Sequence, residues 1–122
     1  MMIVYNSLTG NVKRFVSKLN MDSVELHSDL KVNEPFILIT FTVGFGKVSD
    51  KVVAFLNHND NYKNMIGVSS SGNRNWGSNY AKAADIISHM YGVPIVSKFE
   101  LAGSDKDIEY FKKRVDELNE VH

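Results

Sequence analysis

Met2-Ile3-Val4-Tyr5-Asn6-Ser7-Leu8-Thr9-Gly10-Asn11-Val12 runs from an apolar stretch through a polar turn into an apolar-periodic segment. Met2–Asn6 reads as a strand. Val12, Phe15, Val16 and Leu19 recur at helical spacing, so 11–19 reads as a helix. Ser7, Thr9, Gly10 and Asn11 therefore sit between a strand and a helix N-terminus. At such a junction free backbone N–H groups and the helix dipole converge, an arrangement that favours an anion. Gly10 permits a turn that a side chain hinders. Ser7 and Thr9 offer hydroxyl protons to phosphate oxygens. The loop has no lysine and no GxxxxGK[ST] pattern. That argues against a nucleoside triphosphate and for a monophosphate neutralised by dipoles and hydroxyls alone. The same residues also suit a plain turn with a helix cap, where Ser, Thr and Asn are common.

The alternation continues along the chain. Ser23–His27 reads as a weak, short strand. Phe36-Ile37-Leu38-Ile39-Thr40 is a continuous apolar run, the pattern of a strand covered on both faces. Val48–Leu56 reads as a helix with Val52, Val53 and Leu56 inward. Met65–Ser70 is a strand. Tyr80–Met90 is helical, with Ala81, Ala84, Ile86 and Ile87 packing. Pro94–Phe99 is a fifth strand. Ser104–Leu118 is the last helix, and Ser104 with Asp107 gives it a capping pattern. Strands alternating with helices predict an α/β fold, a parallel sheet wrapped on both sides. At this length a five-stranded doubly wound sheet in one domain, 1–122, is expected.

Composition bounds the function. Lys plus Arg is 14 and Asp plus Glu is 14, so no field favours nucleic acid or an anionic membrane. No apolar run approaches spanning length. The N-terminal run lacks the basic region and cleavage site of a signal peptide. There is no cysteine, which excludes disulfides, thiolate metal sites and cysteine nucleophiles. A cytoplasmic address is expected. His27, His58, His89 and His122 show no metal-ligand spacing, so no metal site is expected and they read as surface or capping groups. Lys112-Lys113-Arg114 alternates with acids on a helix and reads as a solvated face. No GxSxG motif suggests a serine hydrolase.

Ligands of doubly wound sheets bind beyond the carboxyl ends of the strands. Two further loops leave such ends. In Thr40-Phe41-Thr42-Val43-Gly44-Phe45-Gly46-Lys47, glycines flank an aromatic residue. They allow close approach to a flat ligand that Phe41 or Phe45 covers, or they shape a tight turn with Phe45 in the core. Ser69-Ser70-Ser71-Gly72-Asn73-Arg74-Asn75-Trp76-Gly77 is long for its place and holds the single tryptophan. Trp76 offers a stacking face, and Asn73 and Asn75 suit a heteroaromatic edge. The alternative is a solvated loop pinned by a half-buried Trp76.

These stretches carry a resemblance. Val4-Tyr5-Asn6-Ser7-Leu8-Thr9-Gly10-Asn11-Val12 is similar to the phosphate loop of flavodoxins, which bind FMN. Thr42-Val43-Gly44-Phe45-Gly46 and Ser71-Gly72-Asn73-Arg74-Asn75-Trp76-Gly77 resemble the NrdI family, flavodoxin-like proteins that serve class Ib ribonucleotide reductase. Ala81-Lys82-Ala83-Ala84-Asp85-Ile86-Ile87, Tyr91-Gly92-Val93-Pro94 and Lys98-Phe99-Glu100-Leu101-Ala102-Gly103 extend the likeness over nearly the whole chain.

The resemblance implies a flavodoxin-like sheet of order 2-1-3-4-5 and FMN as cofactor. It implies that reduced FMN converts O2 to superoxide (or peroxide) for the dimanganese, radical-bearing small subunit. It implies a flavodoxin reductase-type electron donor. By the resemblance, the FMN phosphate falls on Ser7, Leu8, Thr9, Gly10, Asn11 and Val12. The isoalloxazine falls between Thr40, Phe41, Thr42, Val43, Gly44, Phe45 and Gly46 and the stretch Ser71, Gly72, Asn73 and Trp76, with Asn79 and Tyr80 at the edge. Small residues at Gly44, Gly46 and Gly72 are expected to leave the ring edge open to O2. Phe45, Lys47, Arg74 and Asn75 are the expected partner footprint. The alternative is a general electron-transfer flavodoxin, although such carriers are commonly acidic and this chain has zero formal net charge. A receiver domain would need acidic residues where Asn6 and Ser7 stand.

Overall fold

A computed structural model describes residues 1–44 and 46–121, with the Val121 side chain set aside. Phe45 and His122 lie outside the described residues. The strands are β1 (Met2–Tyr5), β2 (Ser23–Glu25), β3 (Phe36–Val43), β4 (Lys47–Val48), β5 (Met65–Gly72) and β6 (Ile95–Glu100). The helices are α1 (Asn11–Ser17), α2 (Asp50–Asn57), α3 (Lys82–Tyr91) and α4 (Asp105–Val121).

The strands run in the order β2-β1-β3-β5-β6, all parallel, and β4 pairs antiparallel with β3 alone. Leaving out β4, this is the 2-1-3-4-5 order expected of a flavodoxin-like sheet. Every residue of Phe36–Thr40 is fully buried, as the continuous apolar run predicts. Successive side chains of a strand point to opposite faces. Ile3, Ile37 and Ile39 join Val12, Phe15, Phe111 and Val115 on the α1/α4 face. Val4 and Leu38 join Val52, Leu56, Ala84 and Ile87 on the α2/α3 face. Phe15 stacks on Phe99 with ring centroids 3.9 Å apart and meets Phe111 edge-on at 5.6 Å. The α4 capping box forms as expected. The Asp107 N–H donates to Ser104 Oγ at 3.2 Å, and the Ser104 N–H donates to Asp107 Oδ2 at 2.8 Å.

Boundaries at the carboxyl end of the sheet differ from the sequence reading. Residues 41–43 are not loop but the continuation of β3, which folds back on β4 through a tight turn. The Gly46 N–H donates to the Val43 carbonyl at 3.2 Å. Val48 therefore belongs to a strand, and α2 starts at Asp50 after Ser49. Likewise Ser69–Gly72 are strand. Residues 74–79 form a short 3-10 segment broken at Gly77 rather than an open loop. Helix α3 begins two residues later than the periodicity predicts because Ala81 is left-handed, with φ 48°. Buried Ser70 holds that start: its Oγ donates to the Ala81 carbonyl at 2.8 Å and accepts from the Ala84 N–H at 3.0 Å. Among the described residues, no helix is long and apolar enough to cross a membrane.

Gly72 is needed for this approach. A Cβ there would lie 2.4 Å from the Ala81 nitrogen and 2.7 Å from its Cα. Backbone cannot rotate away as a side chain can. Gly72→Ala is expected to destabilise the fold by about 3 kcal/mol, the upper range for overpacking. Urea denaturation checks this; an unchanged midpoint would contradict the packing.

Candidate functional site

The loop after β1 leads into α1 through Gly10, the N-cap residue, at φ 92°. Gly10 itself has no side chain to cap the helix, and the first turn holds no acidic residue. Ser7 Oγ accepts the Lys13 N–H at 3.3 Å. Leu8 and Thr9 stand exposed, whereas the Val12 side chain is buried in the core. Arg14 corrects the expectation of a loop served by uncharged groups alone. Its Nη2 donates to Asn11 Oδ1. A Cβ on Gly10 would lie 3.0 Å from its Nη1. The spacing of three to four residues on a helix brings these groups together, a signal the sequence carried.

Two clefts open beside this loop and share Leu8 and Phe41. One, about 420 Å³, is bounded by the β1 loop, the ends of β3 and β5, Asn73, Trp76 and Leu101. The other, about 490 Å³, lies between Asn6, Ser7, Val43, β4 and the start of α2, with Lys47, Asp50 and Lys51 on it. Asn6 is 7% exposed, and its Nδ2 donates to Ser49 Oγ at 3.2 Å, joining the end of β1 to the α2 N-cap.

The residues singled out in the sequence divide accordingly. Leu8, Thr9, Asn11, Phe41, Thr42, Ser71, Gly72, Asn73 and Trp76 converge on the first cleft. Ser7 and Val43 face the second. Gly44 and Gly46 lie at the hairpin turn in a shallow groove with Val43 and Lys47. Thr40 is fully buried, so its side chain is part of the core and not of a cleft wall. Gly46 packs against Lys82 and Asn79, where a Cβ would lie 3.2 and 3.5 Å from their side chains. Gly72 packs on Ala81, so its lack of a side chain serves close packing rather than access to the ring edge. Phe45 lies outside the described residues.

The long loop is held by its own polar groups. Asn73 Oδ1 accepts the Asn75 N–H at 2.9 Å. Glu100, on β6, accepts the Arg74 N–H at 2.9 Å and its guanidinium at 3.5 Å. The Arg74 guanidinium also lies 5.3 Å from the centre of the Tyr80 ring. Arg74 is thus paired within the chain, while its side chain remains 55% exposed. Lys98 joins β6 to α3 through Asp85 at 2.6 Å. The roles of Arg14 beside the β1 loop, of Glu100 against the Arg74 segment and of Leu101 at the first cleft were missed in the sequence. For Glu100 and Leu101 no local pattern marks them, because β6 reaches the loop only through the sheet order. No group of three His, Cys, Asp or Glu residues placed to hold a metal occurs among the described residues.

With this geometry, residues 3–113 match the family described as NrdI flavodoxin-like. The chain belongs to that family. Protein NrdI of Macrococcus caseolyticus (strain JCSC5402) is 48% identical, covering 100% of this chain and 94% of that one. The fold resembles a flavodoxin of Streptococcus pneumonia TIGR4, with TM-score 0.70, 22% identity, and 99% and 98% of the two chains covered. It also resembles a WrbA-like flavodoxin from Agrobacterium tumefaciens, with TM-score 0.63, 13% identity, and 97% and 94% covered. Membership in a flavodoxin-like family indicates FMN as the cofactor.

Burial raises the Tyr80 phenol above its usual value near 10; Arg74 opposes the shift, while Asp107 and Glu100 reinforce it. Burial also raises Tyr91, against its hydrogen bond to Asn57 and with Tyr62 reinforcing. The fold thus favours both protonated forms. That stabilisation is complete below pH about 10 and is lost as pH rises through the raised folded values. Alkaline titration of phenolate absorbance is expected to show a late step that Tyr80→Phe reduces. Tyr80 Oη is buried without a partner among the described residues. At neutral pH, Tyr80→Phe is therefore expected to leave stability unchanged or raise it by up to about 1 kcal/mol.

Proposed function

We propose that the first cleft holds FMN, with the phosphate at Ser7–Val12 and the ring system between the β3 end and the Ser71–Trp76 segment. The observation that carries this reading is the convergence of a helix start free of acidic side chains, Phe41 and Trp76 on one crevice at the carboxyl end of a doubly wound sheet. Its volume falls within the ordinary range for cofactor sites. Phe41 and Trp76 provide apolar faces for a flat ring. Thr9, Asn11, Ser71 and Asn73 provide hydroxyl and amide groups for polar edges. Arg14 adds a positive charge for the phosphate.

Held there, FMN would supply the chemistry that turns O2 into superoxide (or peroxide), in this reading the oxidant for the dimanganese small subunit of class Ib ribonucleotide reductase. The protein's task is to hold the flavin, set its electronics and govern access. Zero formal net charge places less negative field on a reduced, anionic ring than an acidic carrier flavodoxin does. A flavodoxin reductase-type protein is the expected electron donor, and the cytoplasm is the address we propose. The partner is expected to dock over the exposed hairpin, at Lys47, and beside Asn75. Arg74, engaged by Glu100, serves there only if that pair opens.

Purified protein should be yellow or take up added FMN. After reduction it should reoxidise in air with detectable superoxide and activate a manganese-loaded small subunit. Flavin uptake without activation would instead indicate a general electron carrier. Colourless protein that ignores added flavin would refute the proposal. Arg14→Gln is expected to weaken FMN binding about three- to tenfold while leaving riboflavin binding unchanged, the signature of one exposed charge acting on phosphate. Equal effects on both flavins would remove Arg14 from the phosphate site.

A further inference from the structure

Leu101 adopts a backbone conformation that leucine rarely takes, with φ at 56°. It is the second residue of the turn Glu100-Leu101-Ala102-Gly103, closed by the Gly103 N–H donating to the Glu100 carbonyl at 3.0 Å. Turns with positive φ at that place favour glycine, because a β-carbon crowds the carbonyl. Burial does not compensate for the strain: Leu101 is 68% exposed and belongs to neither core cluster. Strain retained at an exposed apolar residue points to a role other than folding.

The turn is anchored on both flanks. Glu100 grips the Arg74 N–H at 2.9 Å, and so the segment carrying Trp76. Lys18 Nζ, on the other flank, donates to the Gly103 carbonyl at 3.3 Å and the Ala102 carbonyl at 3.5 Å. Gly103 sits against the Phe15 ring, where a Cβ would approach within 2.6 Å. Between these anchors the Leu101 side chain lines the crevice shared by Leu8, Phe41 and Trp76. Leu8 is itself 75% exposed. Two leucines left to water at one crevice lose that exposure when an apolar surface fills it.

We propose that Leu101 is a flavin-contact residue, and that the β6–α4 turn forms a wall of the cofactor site beyond the segments after β1, β3 and β5. The inference rests on the FMN reading and extends it to a chain segment that reading does not use. The contact is with the apolar surface of the ring system, so it does not depend on the phosphate.

Leu101→Gly and Leu101→Asn both suit the left-handed backbone and remove the apolar wall. Each is compared with the wild-type chain by thermal melting of the flavin-free protein and by fluorescence titration with FMN and with riboflavin. Melting is expected at or above the wild-type temperature in at least one variant. Both flavins are expected to bind about five- to tenfold more weakly to both variants, the loss of part of one leucine's buried flank. FMN affinities within twofold of wild type in both variants would overturn the proposal. So would a lower melting temperature in both, which would make Leu101 a folding residue. A wild-type chain that binds no flavin would bring down the FMN reading and this inference with it, and the control titration reveals that outcome separately.

Discussion

At the end of β5 the main chain of Ala81 crosses Gly72 so closely that no side chain fits between them. Ser70, two residues earlier, spends its hydroxyl on the Ala81 carbonyl and the Ala84 N–H, and so fixes the first turn of α3 from within the sheet. Much else at the crevice follows from this contact. The α3 start lies against β3, where Thr42 Oγ1 accepts the Ala83 N–H at 3.3 Å. Lys82 and Asn79 back the hairpin turn at Gly46. The chain between Gly72 and Ala81 must then leave the sheet and return within a short span. It does so as a compact 3-10 segment that carries Trp76 to the cleft.

Charge at this end of the molecule is managed by pairing. Arg74 is matched by Glu100 and Lys98 by Asp85, each across elements that are distant in sequence. Both pairs are partly exposed, so their value is in positioning segments rather than in stability. They tie β6 to the Trp76 segment and to α3. The loop after β1, by contrast, has no acidic side chain in the helix turn it opens and has Arg14 alongside. The crevice therefore combines a donor-rich end suited to an anion with apolar walls suited to a ring, on a chain whose formal charges cancel.

The alternation of apolar runs and helical periods made the doubly wound sheet legible. Phe36–Thr40 could be recognised as a central strand because both its faces had to be apolar, and both are buried. The three carboxyl-end loops were found for a similar reason: glycine, hydroxyl and amide residues interrupt the apolar pattern between a strand and the helix that follows it. The turn at Gly44 and Gly46 was legible, but the strand residues on either side of it, 41–43 and 47–48, were misread because nothing local marks where the strand gives way to the turn. Whether β3 continues depends on its antiparallel neighbour, a pairing of two residues too short to leave a periodicity. Thr40 ends that strand and was also expected to touch the cofactor, yet its position between β1 and β5 buries it completely.

The amino-acid order by itself determined the layer architecture, the parallel strand order implied by its family likeness, and the capping of α4. Each depends on spacing within a short stretch: alternation along a strand, recurrence along a helix, or a serine three residues before an aspartate. Only the tertiary structure decided which carboxyl-end groups meet. It brought Leu101 to the crevice and paired Arg74 with Glu100. Those contacts join segments tens of residues apart, and their distances depend on sheet register and helix docking, to which no local pattern in the chain is sensitive.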